Sequence, residues 1–143
     1  MKTPKTILKL SILFLISSCY QDINNITVSN EMGNKVDYFN KIALKVLNKK
    51  PEFILVSINT FNNDTVVGLY DSKFGLPEYY QGSAYYNGLS LFFYSDSIMR
   101  SNELFKIEHR RKKLKAPGVP ERKEVFSEFY QYKNKQLIRM TEN

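Results

Sequence analysis

The sequence contains no tryptophan, one cysteine, one histidine, five prolines and six glycines among its 143 residues. A single cysteine excludes a disulfide scaffold, and together with a single histidine it cannot supply the usual nitrogen and sulfur ligands of a zinc site. No apolar run reaches the roughly 20 residues that a membrane-spanning helix needs. The chain is rich instead in Tyr and Phe, ten of each, and 43% of its residues are hydrophobic, which is ample material for a folded core.

Motifs of catalytic sites are also missing. The sequence has no Gly-x-Ser-x-Gly, no His-Glu-x-x-His and no phosphate-binding glycine loop. His109 has no Ser, Cys or carboxylate at a recognisable motif spacing, and the acidic residues are scattered. The sequence therefore predicts no catalytic residue, no cofactor and no metal, although two facing carboxylates of a glycosidase would leave no local signature.

The first 18 residues have the three-part layout of an export signal. Lys2, Lys5 and Lys9 form a basic leader, and residues 10–16 form a short apolar core that ends at two serines. This apolar core is too short to cross a bilayer as a helix. The segment therefore predicts a signal peptide over residues 1–18 and an exported protein.

The only cysteine follows directly. Ile16-Ser17-Ser18-Cys19 resembles the lipobox of bacterial lipoproteins, in which a branched apolar residue and two small ones precede the cysteine. The resemblance implies diacylglycerol on the Cys19 thiol, cleavage before Cys19 and acylation of the new amino terminus. More than one acyl chain is what stable anchoring requires. The alternative is an ordinary signal peptide that leaves Cys19 as a free thiol.

The residues after the cysteine bear on which membrane holds the protein. Tyr20 follows Cys19, where enteric lipoproteins retained in the inner membrane carry Asp, and this favours an outer membrane. The chain resembles small envelope lipoproteins of the Bacteroidota, but Tyr20-Gln21-Asp22 has one acid where their surface-exported members tend to carry more. Surface exposure therefore stays open.

Cleavage before Cys19 changes the charge of the protein. The whole chain has 21 basic and 14 acidic residues, a net charge of +7, and residues 1–18 contribute three lysines and no acid. The mature chain would therefore carry a net charge of +4. Its basicity is moderate, and an exported protein rarely meets nucleic acid, so no nucleic-acid partner is predicted.

One clear helix follows a polar, Asn-rich segment. Residues 19–34 show no sustained period and predict a lipidated N-terminus and flexible tether, with a short strand at most near residues 26–28. Beyond it, an amphipathic helix is predicted over residues 35–49, with Asn34 as its N-cap. Its apolar stripe consists of Phe39, Ile42, Ala43, Val46 and Leu47.

From Phe53 onward the apolar period changes to two, which predicts about six strands joined in hairpin order. They cover residues 53–60, 65–70, 89–99, 104–110, 125–132 and 136–140. The prediction is a single α+β domain over residues 35–143, an antiparallel sheet of about five to six strands with the helix on one face.

Residues 79–94 contain seven aromatics in sixteen positions and a six-residue near-repeat. Tyrosine pairs beside glycines suit a recognition surface, since Tyr combines a large rigid ring with a hydroxyl. The alternative is a structural role, in which a Tyr-rich strand and turn covers the edge of the core. The candidate binding residues here are Tyr79, Tyr80, Tyr85 and Tyr86.

A basic run covers residues 106–115, where six Lys or Arg accompany one acid, Glu108. Residues 106–143 carry a net charge of +6, while residues 19–105 carry −2. Such a patch attracts anionic lipid headgroups, lipopolysaccharide phosphates or an acidic protein, or it is a solvated strand end. The candidate binding residues are Lys106, Arg110, Arg111, Lys112 and Lys113.

These features predict a non-catalytic envelope lipoprotein, anchored to the membrane through lipid at Cys19, that binds a partner protein of unknown identity. The Tyr-rich segment, the basic face or both would make that contact. The alternative is a small-ligand or glycan-binding module that uses the tyrosines as a stacking platform. A small hydrolase is the least favoured interpretation.

Overall fold

A computed structural model describes residues 20–74, 80–95, 97–114 and 125–141. Within these ranges the chain forms eight strands, one α-helix and a short 3₁₀ turn at Ser72–Phe74. The helix is α1 (Asn30–Leu47), and the strands are β1 (Tyr20–Val28), β2 (Phe53–Phe61), β3 (Asp64–Asp71), β4 (Gly82–Tyr86), β5 (Leu89–Ser95), β6 (Phe105–Leu114), β7 (Ser127–Lys133) and β8 (Gln136–Arg139). The predicted α+β class is confirmed at this coarse level.

All eight strands join one mixed sheet in the order β6-β1-β4-β5-β2-β3-β7-β8. The predicted antiparallel sheet of five to six strands is wrong, because β1 pairs with β4 and β2 pairs with β5 in parallel. The β4–β5 hairpin is inserted between β1 and β2, and each of its strands lies parallel to its outer neighbour. The predicted adjacency of the strands near residues 89–99 and 104–110 is also wrong, since β6 pairs with β1.

Three hairpins have two-residue turns that begin with asparagine. Asn62-Asn63, Asn87-Gly88 and Asn134-Lys135 all have positive φ angles. Positive φ at both central positions is the requirement of a type I′ turn, whose twist matches that of the flanking strands. The β2–β3 and β7–β8 hairpins follow the prediction. The β4–β5 hairpin was missed because the predicted strands leave residues 71–88 unassigned and so do not include β4.

The predicted tether over residues 19–34 is corrected by β1 and by the start of α1. Strand β1 covers nine residues and lies between β6 and β4, inside the sheet. Its polar, Asn-rich composition argues for a loop, but pairing on both edges and the burial of Ile23 and Ile26 override that local preference.

Helix α1 begins five residues earlier than predicted and ends at Leu47. Ser29, not Asn34, is the N-cap, and its hydroxyl accepts a hydrogen bond from the Met32 amide at 3.2 Å. At the other end Asn48 takes the left-handed conformation that ends many helices. The apolar stripe therefore runs further towards the N-terminus than predicted, and Val46 is exposed.

The main core lies between α1 and one face of the sheet. Met32, Val36, Phe39 and Ala43 are buried on the helix, and Phe39 packs against Phe126 with ring centroids 5.1 Å apart. The sheet contributes alternate residues of its strands to this core, as strand geometry requires. They include Ile26, Ile54, Val56, Val67, Leu69, Leu91, Phe93, Tyr130 and Leu137.

Candidate functional site

The Tyr-rich segment forms the β4–β5 hairpin and the residues before it, and its tyrosines lie in different environments. Tyr80 is 7% exposed, whereas Tyr85 is 76% exposed and Tyr86 is half-buried. Because side chains alternate along a strand, adjacent Tyr85 and Tyr86 belong to opposite faces of the sheet. The structure therefore does not bring Tyr80, Tyr85 and Tyr86 into one flat platform.

Tyr86 packs on helix α1. A Cβ placed on Gly33 would lie 2.4 Å from Cζ of Tyr86, so the ring occupies the space that only a glycine leaves free. The Tyr86 hydroxyl donates to Asp37 at 3.4 Å, and the Asn87 side chain donates to the same carboxylate at 3.2 Å. Burial and the Asp37 carboxylate raise the pKa of Tyr86. These contacts give Tyr86 a structural role in joining the hairpin to the helix.

Tyr80 belongs to an aromatic cluster, defined here as Phe53, Tyr80 and Phe92, on the sheet face away from α1. The Tyr80 ring meets Phe92 edge-on with centroids 4.9 Å apart, and Phe92 meets Phe53 edge-on at 5.4 Å. Tyr85 pairs with Ser90, which pairs with Phe53, so Tyr85 lies on the same face two strands from Phe53. This cluster with exposed Tyr85 is the aromatic surface that the structure assembles.

Sequence reasoning missed Phe53 and Phe92 as parts of this surface. Phe53 is 39 residues from Phe92 along the chain, and only the parallel register of β2 and β5 brings them together. No local pattern encodes a parallel register between strands of two different hairpins. The period-two pattern of β2 could indicate only that Phe53 lies on the face opposite Ile54.

Residues 106–114 of the basic run lie on β6, which is an edge strand of the described part of the sheet. Its backbone pairs with β1 so that Lys113 is opposite Gln21, Lys112 opposite Asp22 and Arg110 opposite Asn24. Lys106 pairs with Thr27 at the other end of β1 and is exposed. The candidate basic residues therefore do not form one compact site: four lie beside the first residues of β1, and Lys106 lies apart from them.

Glu108, the acid within the basic run, is engaged locally. The register of β6 against β1 shifts after Asn25, so Glu108 sits at a bulge. Its carboxylate accepts a hydrogen bond of 2.6 Å from the Thr27 hydroxyl. This hydrogen bond holds the Glu108 carboxylate beside Thr27, the residue of β1 that pairs with Lys106.

A shallow cleft of about 140 Å³ lies where the parallel strands β2 and β5 end. Its described lining includes Thr60, Thr65, Ser97, Arg100 and Asn102. The Asn102 side chain accepts from the Leu104 and Phe105 amides, so it shapes the loop. No acid or histidine occurs among the described lining residues. They offer hydrogen bonds and one cation, but no general acid or base.

Two predicted site residues, Cys19 and Tyr79, lie outside the described residues, as does the predicted signal peptide. The part of the chain that the structure describes holds no group of three His, Cys, Asp or Glu side chains placed to bind a metal ion. Over the same residues, no helix has both the length and the apolar character needed to cross a membrane.

No family model, curated protein or solved structure matches this chain.

Proposed function

We propose that the protein is an exported lipoprotein of the cell envelope, held to the membrane by lipid on Cys19, that binds a partner protein without catalysis. The observation that carries the proposal is the order of basic leader, apolar core and Ile16-Ser17-Ser18-Cys19 in the sequence. An outer membrane is favoured by Tyr20 after the cysteine.

The surface proposed to meet the partner is exposed Tyr85 together with half-buried Phe53 and Phe92 on the same face of the sheet. Tyr85 is the most exposed of the three described candidate tyrosines, and its aromatic neighbours on that face pack edge-on and so are held in place. Rigid aromatic rings lose little conformational entropy on binding and dominate the binding energy of many protein interfaces.

The anchoring is tested by the intact mass of the protein purified from native membranes, beside a Cys19→Ala variant. A mass equal to residues 19–143 plus acyl chains, absent from the variant, supports the proposal. An unmodified protein cut at another position would overturn it and would point to a freely secreted protein.

The partner surface is tested by crosslinking in intact cells with Tyr85→Ala and, as a matched aromatic control, Phe61→Ala. Phe61 is 68% exposed at the end of the β2–β3 hairpin, away from Tyr85. We expect a defined crosslinked species that Tyr85→Ala weakens at least about tenfold, as loss of an interface hot spot does, and that Phe61→Ala leaves intact. Equal effects of the two substitutions would remove Tyr85 from the proposal.

The alternative of a glycan-binding module requires a stacking platform. Of the three described candidate tyrosines, Tyr80 is buried, Tyr86 packs on α1 and Tyr85 is exposed, so these three offer a single accessible ring. One ring without a facing partner is a weak basis for sugar recognition. A thermal shift with envelope glycans that Tyr85→Ala abolishes would revive this alternative.

A further inference from the structure

We infer that the β6 segment Arg110–Lys113 is a second membrane contact that binds anionic phospholipid headgroups beside the lipid anchor. The inference rests on the proposed lipidation of Cys19 and adds to it a surface of the folded domain. Its consequence is orientation: the acyl chains hold the protein at the membrane, and the basic segment determines which edge of the sheet faces it.

The sheet register places the basic segment next to the anchor. Strand β1 begins at Tyr20, directly after Cys19, and Tyr20 pairs with Leu114 of β6. With a rise of about 3.3 Å per residue and about 4.8 Å between strands, the Cα atoms of Lys112 and Lys113 lie within about 10 Å of that of Tyr20. Arg110 lies about 14 Å away by the same geometry.

The charge is concentrated at this end of the strand. The backbone positions 110–113 are four consecutive basic residues, and the residues of β1 that pair with them include one acid, Asp22. At the far end Lys106 lies about 24 Å from Tyr20 along the strand, beside the bulge that holds Glu108. The attraction between a basic cluster and an anionic membrane surface is strongest when the cluster lies within a Debye length, about 8 Å, of that surface.

Protection of the sheet edge is the competing explanation. Lysine on an edge strand prevents pairing with other chains, and β6 is an edge of the sheet over the described residues. That purpose is met by charges spread along the strand, whereas here they are clustered beside the first residue after the cysteine. An acidic partner protein would also fit the charge, but the membrane is the anionic surface that the anchor keeps within reach.

The test is hydrogen–deuterium exchange of the lipidated protein in vesicles of phosphatidylcholine alone or with 30 mol% phosphatidylglycerol. The peptide covering residues 105–114 reports on β6. In the sheet that the structure describes, β6 is an edge strand, so every second amide points away from β1, and contact with a surface changes the exchange of those amides. Each vesicle preparation is first checked by mass for acyl chains, so that absence of lipidation is recognised as failure of the proposed function.

One basic residue near an anionic surface strengthens the contact about fivefold. Because amides covered by the contact are protected in proportion, we expect them to exchange at least about fivefold more slowly on the anionic vesicles. The difference should vanish in 0.5 M NaCl, because salt screens the contact. Lys112→Gln/Lys113→Gln should abolish it. Lys106→Gln on the same strand and Lys41→Gln/Lys45→Gln on the exposed face of α1 should preserve it.

Two results would overturn the inference. One is exchange that is the same on both kinds of vesicle in protein that carries its lipid. The other is the same loss of the exchange difference in the Lys112/Lys113 and Lys41/Lys45 variants, which would show that the difference depends on net charge alone. In the first case, slow exchange in cells that still depends on Lys112 and Lys113 would assign the segment to an acidic protein instead.

Discussion

Gly82, at the start of β4, leaves no room for a side chain, because residues of the neighbouring strand β1 lie close to its Cα. A Cβ at this position would lie 2.3 Å from Cδ1 of Ile26 and 3.2 Å from the carbonyl oxygen of Asn24. Overpacking of this kind in a core typically costs 1–3 kcal/mol, so we expect Gly82→Ala to lower the free energy of unfolding by about 2 kcal/mol. Urea denaturation measures this.

Ile26→Val provides the control, because it removes the atom that an alanine at position 82 would contact. The double variant should be more stable than the sum of the two single effects predicts, by about 1 kcal/mol, as for residues in direct contact. Strict additivity would show that Ile26 and position 82 do not share this space.

The ionisation of Tyr130 should make the free energy of unfolding depend on pH. Its hydroxyl is buried without a hydrogen-bond partner among the described residues, and burial, then Glu128 and Tyr38, raise its pKa to about 12. In the unfolded chain the phenol ionises near pH 10, so the unfolded state gives up its proton first and stability falls as the pH rises from about 10 to 12. We expect Tyr130→Phe to show a smaller fall in the free energy of unfolding between pH 8 and pH 11.

The comparison is made against Tyr132→Phe at both pH values. The pKa of Tyr132 is also raised to about 12, mainly by the hydrogen bond of its hydroxyl to Glu103. At pH 8 Tyr132→Phe should cost stability because it removes that bond, whereas Tyr130→Phe should cost little because no such partner is lost. A large loss with Tyr130→Phe at pH 8 would contradict this.

At the scale of elements, the β7–β8 hairpin is joined by a buried carboxylate and an arginine. Glu128 is buried, and Arg139 donates to both of its oxygens, with an Nη2–Oε1 distance of 2.7 Å. Arg139→Met would leave that carboxylate without its partner, and we expect a loss of about 2 kcal/mol in thermal or urea unfolding.

The double variant Glu128→Leu/Arg139→Met tests the cause. Leucine at position 128 removes the buried charge that Arg139→Met leaves unpaired, so the double variant should recover most of the lost stability. If it is as unstable as Arg139→Met, packing rather than the unpaired charge explains the loss.

The N-cap of α1 is Ser29 in the structure and Asn34 in the sequence prediction, and alanine at these two positions should change the free energy of unfolding in opposite directions. Ser29→Ala removes the hydroxyl that accepts from the Met32 amide and should lower the free energy of unfolding by about 1 kcal/mol. Asn34→Ala, at an exposed position inside the helix, should raise it by a few tenths of a kcal/mol because alanine is the better helix former. Urea denaturation of both variants checks the boundary, and the reverse order would restore Asn34 as the cap.

At the scale of the whole molecule, β1 is an interior strand, and its removal should prevent folding. A chain that begins at Ser29 loses the strand between β6 and β4, together with buried Ile23 and Ile26. We expect circular dichroism to show no cooperative thermal transition for this chain, whereas the chain that begins at Tyr20 unfolds cooperatively. A flexible tether could be deleted without any such loss.

The elements that the sequence predicted correctly are those that neighbouring residues encode. The β2–β3 and β7–β8 hairpins have Asn at positions that need positive φ, and the apolar stripe of α1 is visible in its spacing. The errors concern pairings between distant segments. β1 resembles a loop by composition and becomes a strand because β4 and β6 supply partners for both of its edges.

The candidate site follows the same division. The sequence identified Tyr85 and the basic run by composition, but the environment of each tyrosine depends on strand parity and on what covers it. Tyr80 is buried against Phe92, and Tyr86 fills the space above Gly33. Neither outcome follows from a Tyr-Tyr pair alone, since both contacts join residues on different elements.

By itself, the sequence determined the α+β class, two of the hairpins and the amphipathic helix, and it carries the whole argument for export and lipidation, because such signals are contiguous. Only the tertiary structure decided that the β4–β5 hairpin is inserted between β1 and β2, and that Arg110–Lys113 lie beside Tyr20. The physical reason is that pairing between distant strands depends on which buried surfaces and backbone hydrogen bonds are satisfied together, and no single segment contains that information.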